Sequence, residues 1–402
     1  MMRSIPIRFV LVLGASSFAL GGCDWIKSLG KKDNVEPPTP LTEFTPTVQV
    51  QRLWTEGVGS GEGDSGARLA PTVADGHLYA SSVDGTIEAI DAASGRTLWQ
   101  KHLGDRHGWL WKRGDNTLRW SGGPAVLGDL LVVGGLDGDV YALSSQDGSE
   151  RWHAMVSSEV IARPAISDAI VVVRTIDGRL TGLDVKDGSR KWVFDQSVPP
   201  LSLRANSSPV IVNGAVYDGF DNGKIVAVRL ADGNPLWQQT LATGEGRTEV
   251  ERLSDIDGDV LVVGSNIVAV GYRGQVSAIA AETGRPLWQR DISSYGGVAA
   301  GDNALVLADA DGNVWAFDRD TGASLWKQDQ LKYRWLGTPA VQGKYVVIGD
   351  SEGFVHWLSI DEGKFAARER LSKKAIESAP VVIGDTVYVE DVKGHIGAYS
   401  VR

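Results

Sequence analysis

The sequence has one cysteine, few methionines and no excess of basic charge, and each shortage excludes a class of protein. Cys23 is the only cysteine among 402 residues, which excludes an internal disulfide and a cysteine-rich metal site. The net charge of −10 argues against nucleic-acid binding, which needs a basic face. No apolar run after residue 23 is long enough to cross a bilayer. The abundant residues are glycine, at 49, and tryptophan, at 14, which favours an all-β fold with many turns.

The first 22 residues have the pattern of a secretion signal. Arg3 and Arg8 give a positive start, and an apolar stretch of twelve residues runs from Phe9 to Leu20. The sequence LGGC, which ends at Cys23, resembles the lipobox of bacterial lipoproteins. We therefore predict that residues 1–22 are a lipoprotein signal peptide and that Cys23 carries the lipid anchor. An ordinary signal peptide with a chance cysteine is the alternative.

Residues 23–46 are predicted to be a lipidated cysteine followed by a flexible tether. They show no periodicity and contain four prolines: Pro37, Pro38, Pro40 and Pro46. The expected location is the periplasmic face of the outer membrane. Asp24, directly after the cysteine, resembles an inner-membrane retention signal of enteric bacteria, so retention there is the alternative.

The rest of the chain contains a strong internal repeat. Its unit is a glycine, a second glycine ten residues later, and a tryptophan four residues after that. A seventh copy has Ala367 in place of the tryptophan, and an eighth copy begins at Gly394. The tryptophans of the six complete copies are Trp99, Trp152, Trp192, Trp237, Trp288 and Trp326.

Each repeat is predicted to be a four-stranded propeller blade. An alternating apolar strand follows the first glycine, the second glycine allows a tight turn, and a short strand ends near the tryptophan. We predict an all-β, eight-bladed β-propeller over residues 47–402, with four antiparallel strands in each blade. Residues 48–54, which end in Trp54, are expected to complete the last blade and close the ring. All seven tryptophans are interpreted as structural residues that fill the seams between blades.

Three insertions break the repeat and are candidates for a binding surface. They are residues 100–123, 197–209 and 240–258. In the second, Leu201 and Leu203 flank Ser202 and are followed by Arg204, a combination typical of a protein-binding hot spot. The structural alternative is that one leucine is buried under the loop and the others are ordinary surface.

The repeat also resembles the blades of pyrroloquinoline-quinone (PQQ) enzymes, as in the segment from Ala89 to Trp99. Such dehydrogenases typically carry an adjacent cysteine pair, which a chain with Cys23 alone lacks. The six histidines are scattered, with no zinc pattern. We therefore predict no catalytic residue, no metal and no cofactor, and keep a quinone-dependent dehydrogenase as an alternative function.

Taken together, the lipobox, the Pro-containing tether and the eight blades resemble the BamB family of the outer-membrane β-barrel assembly machine. The segments 201–204 (LSLR) and 248–257 (TEVERLSDID) carry the most specific likeness. The resemblance implies a non-catalytic scaffold that binds a POTRA domain of the barrel-forming subunit BamA and assists unfolded outer-membrane proteins. It also implies contact residues, namely Leu201, Leu203, Arg204, Asp255 and Asp257. A scaffold of another periplasmic complex is the remaining alternative.

Overall fold

The computed structural model describes residues 36–402, apart from residues 64, 104–118, 203–206, 243–247, 249–252 and 257. Residues 38–402 form one compact unit; of the other unit, residues 1–37, only residues 36 and 37 are described. Cys23, Leu203, Arg204 and Asp257 lie outside the described residues. In the part of the chain that is described, no helix has the length and apolar character to span a bilayer.

The described residues form 32 strands, grouped in eight four-stranded sheets. The strands of the first four sheets in chain order are β2 (Thr72–Ala74), β3 (His77–Ser81), β4 (Thr86–Asp91), β5 (Thr97–His102), β6 (Trp120–Leu127), β7 (Leu130–Gly135), β8 (Asp139–Ser144), β9 (Glu150–Met155), β10 (Ala165–Ile166), β11 (Ile170–Thr175), β12 (Arg179–Asp184), β13 (Arg190–Asp195), β14 (Val210–Val212), β15 (Ala215–Gly219), β16 (Lys224–Arg229) and β17 (Pro235–Thr240). Those of the last four are β18 (Leu261–Val263), β19 (Asn266–Val270), β20 (Val276–Ala280), β21 (Pro286–Arg290), β22 (Ala299–Ala300), β23 (Ala304–Ala308), β24 (Val314–Asp318), β25 (Ser324–Gln328), β26 (Ala340–Gln342), β27 (Tyr345–Gly349), β28 (Phe354–Ser359), β29 (Phe365–Arg370), β30 (Val381–Ile383), β31 (Thr386–Glu390), β32 (His395–Val401) and β1 (Val50–Gly57).

The eight sheets are the blades of a propeller. Blades 1 to 7 each contain four consecutive strands, whereas blade 8 has the order β1-β32-β31-β30. The first strands of the blades (β2, β6, β10, β14, β18, β22, β26 and β30) contact one another in that order, and β30 contacts β2. This cyclic order confirms the predicted eight-bladed β-propeller.

Strand β1 closes the ring by pairing with β32. The antiparallel register runs from Val50 opposite Val401 to Gly57 opposite His395. The predicted closing segment, residues 48–54, overlaps this strand, so the expected closure is confirmed. Because the fourth strand of blade 8 comes from the N-terminal part of the chain, no hairpin joins it to the third strand.

The hydrophobic core lies between neighbouring blades. Eight clusters of buried residues occur, and each combines side chains of two adjacent blades. For example, Val132 and Trp152 of blade 2 share a cluster with Val171 and Leu183 of blade 3. A single blade therefore cannot bury its apolar faces without its neighbours.

The repeat tryptophans make the same contact at seven seams. Trp152 donates a hydrogen bond from Nε1 to the carbonyl of Val185 in the next blade, at 2.9 Å. Its ring packs on Gly188 so closely that a Cβ there would lie 2.6 Å from the indole, and Gly188 has a φ of +70°. The equivalent hydrogen bonds, of 2.7 to 3.2 Å, are made by Trp54, Trp99, Trp192, Trp237, Trp288 and Trp326.

The seam between blades 7 and 8 differs. In each of the other blades the outer-strand tryptophan lies opposite alanine or glycine, as Trp152 lies opposite Ala142. In blade 7 the pair is reversed, because Ala367 lies opposite Trp357, which is fully buried. Trp357 donates from Nε1 to Oε1 of Gln342 at 2.8 Å, and Gln342 donates to the carbonyl of Asp385 in blade 8 at 2.7 Å.

Residues 39–47 lie against blade 7 and make specific hydrogen bonds. The amide of Thr39 donates to Lys332 at 3.1 Å, and that of Thr47 donates to Ala366 at 2.9 Å. The ring of Phe44 stacks on Phe365 at 5.3 Å. These contacts join the last part of the predicted tether to the propeller, and we call residues 39–47 the N-terminal strap.

Two arginines, the buried Arg334 and the half-buried Arg368, hold the strap. Arg334 donates to the carbonyl of Thr39 at 2.9 Å, and Arg368 donates to that of Thr42 at 3.1 Å. Asp350 accepts from Arg334 at 2.7 Å, and His356 links this carboxylate to Arg368. Burial lowers the pKa of His356, so this histidine is held neutral in the network.

Candidate partner-binding surface

Two of the three insertions lie side by side at one end of the propeller. Strands alternate in direction within a blade, so loops that leave a fourth strand lie at the same end as loops between second and third strands. The segments 196–209, after β13, and 241–260, after β17, both leave fourth strands of adjacent blades. We call this end of the propeller the loop face. The third insertion lies mostly outside the described residues.

The two loops are bonded directly to each other. The backbone amide of Ser208 in the first loop donates to Oδ1 of Asp259 in the second, at 2.8 Å. The second loop is also fixed from below, since the amide of Ile256 donates to the carbonyl of Phe220 at 3.3 Å. The two loops are therefore neighbours where their described ends enter the next blades.

The predicted contact residues have different environments. Leu201 is exposed, with 41% of its surface accessible, which is suited to a contact with another protein. Asp255 is completely buried, and its carbonyl accepts from the amide of Tyr272 at 2.8 Å. A completely buried side chain is not placed to contact another protein, so in this structure Asp255 supports the position of its neighbours. The other three, Leu203, Arg204 and Asp257, lie outside the described residues.

A buried ionic cluster lies beneath the first loop. Arg174 is fully buried, 3.4 Å from a carboxylate oxygen of Asp218 and 3.3 Å from one of Asp221. Its guanidinium also lies 4.2 Å from the ring centroid of Phe220. Buried charges of this kind persist only when they are paired.

The acid–base state of this cluster follows from burial. Desolvation raises the pKa of Asp218 to about 8, and the opposing attraction of Arg174 is smaller. Burial likewise raises the pKa of Asp221, while Arg174 and a hydrogen bond from Ser202 in the first loop oppose this. One arginine thus faces two acids, of which Asp218 is largely protonated at neutral pH. The cluster ties the loop to the blade through Ser202.

Sequence reasoning missed this cluster. Arg174, Asp218 and Asp221 fall at or just beyond the ends of β11 and β15, where charged residues are usually solvated. Only the repeat offers a signal, because most of the equivalent strand ends carry uncharged residues such as Ser81 and Val270, with Glu390 of blade 8 as another exception.

The propeller channel contains a small polar cavity. It measures about 90 Å³ and is lined by residues that include Arg68, Arg163, Ser208, Asp259 and Glu377. Pockets that enclose small organic ligands generally exceed about 300 Å³. The residues present therefore do not fit a bound quinone. Among the described residues, no group of three or more His, Cys, Asp or Glu is arranged to hold a metal ion.

Comparison with known proteins identifies the family. A family model described as outer membrane protein assembly factor BamB matches residues 51–108, 84–328 and 310–402. The chain is 40% identical over 407 residues to the outer membrane protein assembly factor BamB of Xanthomonas campestris pv. campestris, covering 99% of each chain. It is 35% identical to the BamB of Escherichia coli, covering 99% of this chain and 100% of that one.

Solved structures agree with the fold. The crystal structure of BamB from Moraxella catarrhalis superposes with a TM-score of 0.78 at 26% identity, covering 88% of this chain and 100% of that one. A quinohemoprotein alcohol dehydrogenase from Pseudomonas putida superposes with a TM-score of 0.68 at 15% identity, over 90% of this chain and 78% of that one. The latter likeness shows a shared propeller alone. The relatives are named as assembly factors, which is a non-enzymatic role, and the chain belongs to the BamB family of outer membrane protein assembly factors.

Proposed function

We propose that this chain assists outer-membrane protein assembly as a scaffold that binds a POTRA domain of BamA through the loop face. The observation that carries the proposal is the direct bond between the two loops 196–209 and 241–260, from Ser208 to Asp259, which brings together segments that are distant in sequence. Leu201 supplies an exposed apolar anchor on this surface. Leu203, Arg204 and Asp257 are assigned to the same contact, and apolar anchors beside opposite charges provide affinity and orientation.

The buried cluster supports this surface from below. Because Arg174, Asp218 and Asp221 form one cluster and Asp221 is bonded to Ser202, the cluster fixes the described part of the loop before a partner binds. Preorganisation of this kind improves affinity without adding a contact. We assign Asp255 a positioning role, since it is buried and bonded to Tyr272 through its carbonyl.

The location proposed for the chain is the periplasmic face of the outer membrane, with a lipid on Cys23. The support is the LGGC sequence after an apolar stretch of signal-peptide length. The mass of the N-terminal peptide of the mature protein tests the anchor, because an acylated Cys23 is heavier than an unmodified one. Membrane fractionation distinguishes the outer membrane from the inner-membrane retention that Asp24 would cause.

Unfolded outer-membrane proteins are the proposed cargo, and the outer strands are the proposed contact. Each of these strands ends its sheet, and several carry exposed leucines, such as Leu98, Leu236 and Leu325. An extended chain that pairs with such an edge would be held by β-augmentation.

The test measures the affinity of the full-length lipoprotein for full-length BamA of the same bacterium in detergent. We expect Leu203→Ala/Arg204→Glu to weaken binding by about 100-fold or more, since two anchor side chains are lost. Ile383→Ala is the matched control, because Ile383 is 50% exposed but lies at the β30–β31 turn, away from the loop face. Unchanged affinity of a folded double variant contradicts the assigned surface. Recovery of a different periplasmic complex, without BamA, contradicts the partner.

A further inference from the structure

The loop face carries a second exposed feature, a cluster of aromatic side chains on blades 5 to 7. Tyr272 stacks on Tyr295, with ring centroids 4.6 Å apart. The ring centroids of Tyr295 and Trp335 are 6.3 Å apart. Arg273 lies 5.4 Å from the ring centroid of Tyr272, and Tyr333 is next but one to Trp335. We call these five residues the aromatic patch.

The outer part of the patch is exposed to solvent. Trp335 has 55% of its surface accessible and Tyr333 has 39%. Large aromatic side chains at this exposure are unusual unless they contact something, because burying one stabilises a protein or a complex. Among the described residues, no other tryptophan is exposed.

The backbone beneath the patch is strained. Among the described residues, six that are not glycine have positive φ. Three of them, Asp75, Asn213 and Arg273, precede a glycine in a turn between strands, where this conformation is ordinary. The other three are Arg68 (49°), Tyr333 (58°) and Trp335 (48°).

These three strained residues converge on the patch. Tyr333 and Trp335 belong to it, and the guanidinium of Arg68 donates to the carbonyl of Tyr295 at 2.6 Å. The amide of Tyr333 donates to the carbonyl of Asp311 at 2.8 Å, which fixes the loop that carries Trp335. Strain at bulky residues persists only where surrounding contacts enforce it, and it clusters at functional sites. The patch is therefore built to present its rings in one arrangement.

The patch adjoins the proposed BamA surface. The amide of Tyr272 donates to the carbonyl of Asp255 at 2.8 Å, so the patch is bonded to the second insertion. A stable interface buries about 800 Å² on each partner and takes about 20 residues a side. The four or five side chains assigned above to the BamA contact supply only part of this area. The interface must therefore extend onto the surface that adjoins them. The adjoining surface here is rich in tyrosine, tryptophan and arginine, the residue types enriched at hot spots.

We propose that the aromatic patch is the second half of the BamA-binding surface, on which apolar side chains of a POTRA domain pack against Trp335 and Tyr333. This inference rests on the proposed function, because it takes BamA as the partner. The two loops 196–209 and 241–260 form the first half of this surface and anchor the POTRA domain. The aromatic patch then sets the orientation of the POTRA domain across blades 5 to 7. Rigid aromatic rings suit this task, since they lose little conformational entropy on binding.

The test compares the affinities of full-length lipoprotein variants for full-length BamA. We expect Trp335→Ala to weaken binding by about 30-fold, the effect of a hot-spot side chain, and Tyr333→Ala by about 10-fold. Ile383→Ala is the matched control. Ile383 is 50% exposed, but it lies at the β30–β31 turn, at the opposite end of the blade from the loop face.

The outcomes separate this inference from the proposed function. If Leu203→Ala/Arg204→Glu loses binding while Trp335→Ala binds like the wild type, the patch is not part of the interface and the proposed function stands. If the wild-type chain does not bind BamA, the proposed function fails, and the partner assigned to the patch fails with it.

A second measurement covers the case in which a variant does not fold. The photoreactive residue benzoylphenylalanine, placed at position 333, is expected to crosslink to BamA, and the same residue at position 383 is not. Equal crosslinking at both positions, or none at 333 when position 201 crosslinks, overturns the inference. Crosslinking of position 333 to an unfolded barrel protein instead of BamA overturns it as well.

Discussion

The seam between blades 2 and 3 and the seam between blades 7 and 8 solve the same packing problem in different ways. At the first, Trp152 on an outer strand packs on the turn glycine Gly188 of the next blade. At the second, blade 8 has no turn between its third and fourth strands, so an outer-strand tryptophan in blade 7 would have no turn to pack on. In blade 7 the tryptophan is instead on the third strand, where Trp357 lies opposite Ala367 of the outer strand. The position of the tryptophan thus depends on the connectivity of the blade that follows.

The N-terminal strap completes this second solution. Thr47 bonds to Ala366 of the outer strand, and Val48 and Val50 pack in the cluster shared by blades 7 and 8. Trp357 also contacts Tyr399 of blade 8, with ring centroids 5.7 Å apart. The strap and these rings cover apolar surface that a turn covers at the other seams.

The largest expected effect comes from removing a ring at either seam. We expect Trp152→Ala and Trp357→Ala each to lower the free energy of unfolding by about 3–5 kcal/mol, since each deletes a buried indole and leaves a cavity. Denaturant unfolding followed by circular dichroism measures both, with exposed Trp335→Ala as the control. A loss below about 1 kcal/mol for Trp357→Ala alone would show that the reversed pair is not equivalent to the repeated one.

The next effect concerns the seam between blades 8 and 1, which contains buried acids. Burial raises the pKa of Glu62 to about 7, with Glu377 as the next cause, and Glu390 is raised well above its usual pKa by burial and by Glu62. A raised pKa means that the folded state holds a proton which the unfolded state loses near pH 4. This contribution to stability is therefore present at low pH and is lost as the pH rises through about 7.

Glu62→Gln removes this dependence. Relative to the variant, the wild type is expected to lose about 2–3 kcal/mol of unfolding free energy between pH 5 and pH 8, as the proton leaves Glu62. The amide of Leu69 keeps an acceptor in the variant, since it donates to Oε2 of Glu62 at 3.0 Å. Unfolding curves at the two pH values measure the difference. A parallel pH dependence in both proteins contradicts the assignment.

The smallest effect is expected at the strap. Phe44→Ala removes the stack on Phe365 and the contact with the guanidinium of Arg368, which lies 5.0 Å from the ring centroid. We expect a loss of about 1 kcal/mol, together with faster hydrogen exchange of the Thr47 amide. Glu43→Ala, at an exposed neighbouring position, serves as the control. If Thr47 exchange is unchanged, the strap does not depend on its aromatic contact.

The repeat made the blades, their number and the ring closure predictable, because glycine and tryptophan at fixed spacing report turns and seams directly. The reversed pair was visible only as the exception at Ala367, since Trp357 lies outside the repeat spacing. The strap was not predictable, because its prolines indicate an extended chain but not the surface that it contacts. Phe44 and Phe365 are far apart in the sequence and meet only in the folded propeller.

The candidate surface was predictable in part. Insertion length pointed to the two loops, and the family resemblance pointed to residues in them. The burial of Asp255 was not predictable, because an aspartate in a polar segment gives no sign of its depth. The aromatic patch also escaped the sequence, since Tyr272, Tyr295 and Trp335 lie in three different blades and become neighbours only through the repeat geometry.

The pairing of β1 with β32 has a consequence for how the protein folds. Val50 pairs with Val401, so ring closure joins segments that are about 350 residues apart in the sequence. Contacts of such long sequence separation form slowly, and an unpaired strand edge is prone to aggregation until they do. Until β1 pairs with it, β32 is such an edge, so the period before ring closure is when the folding chain is most exposed to aggregation.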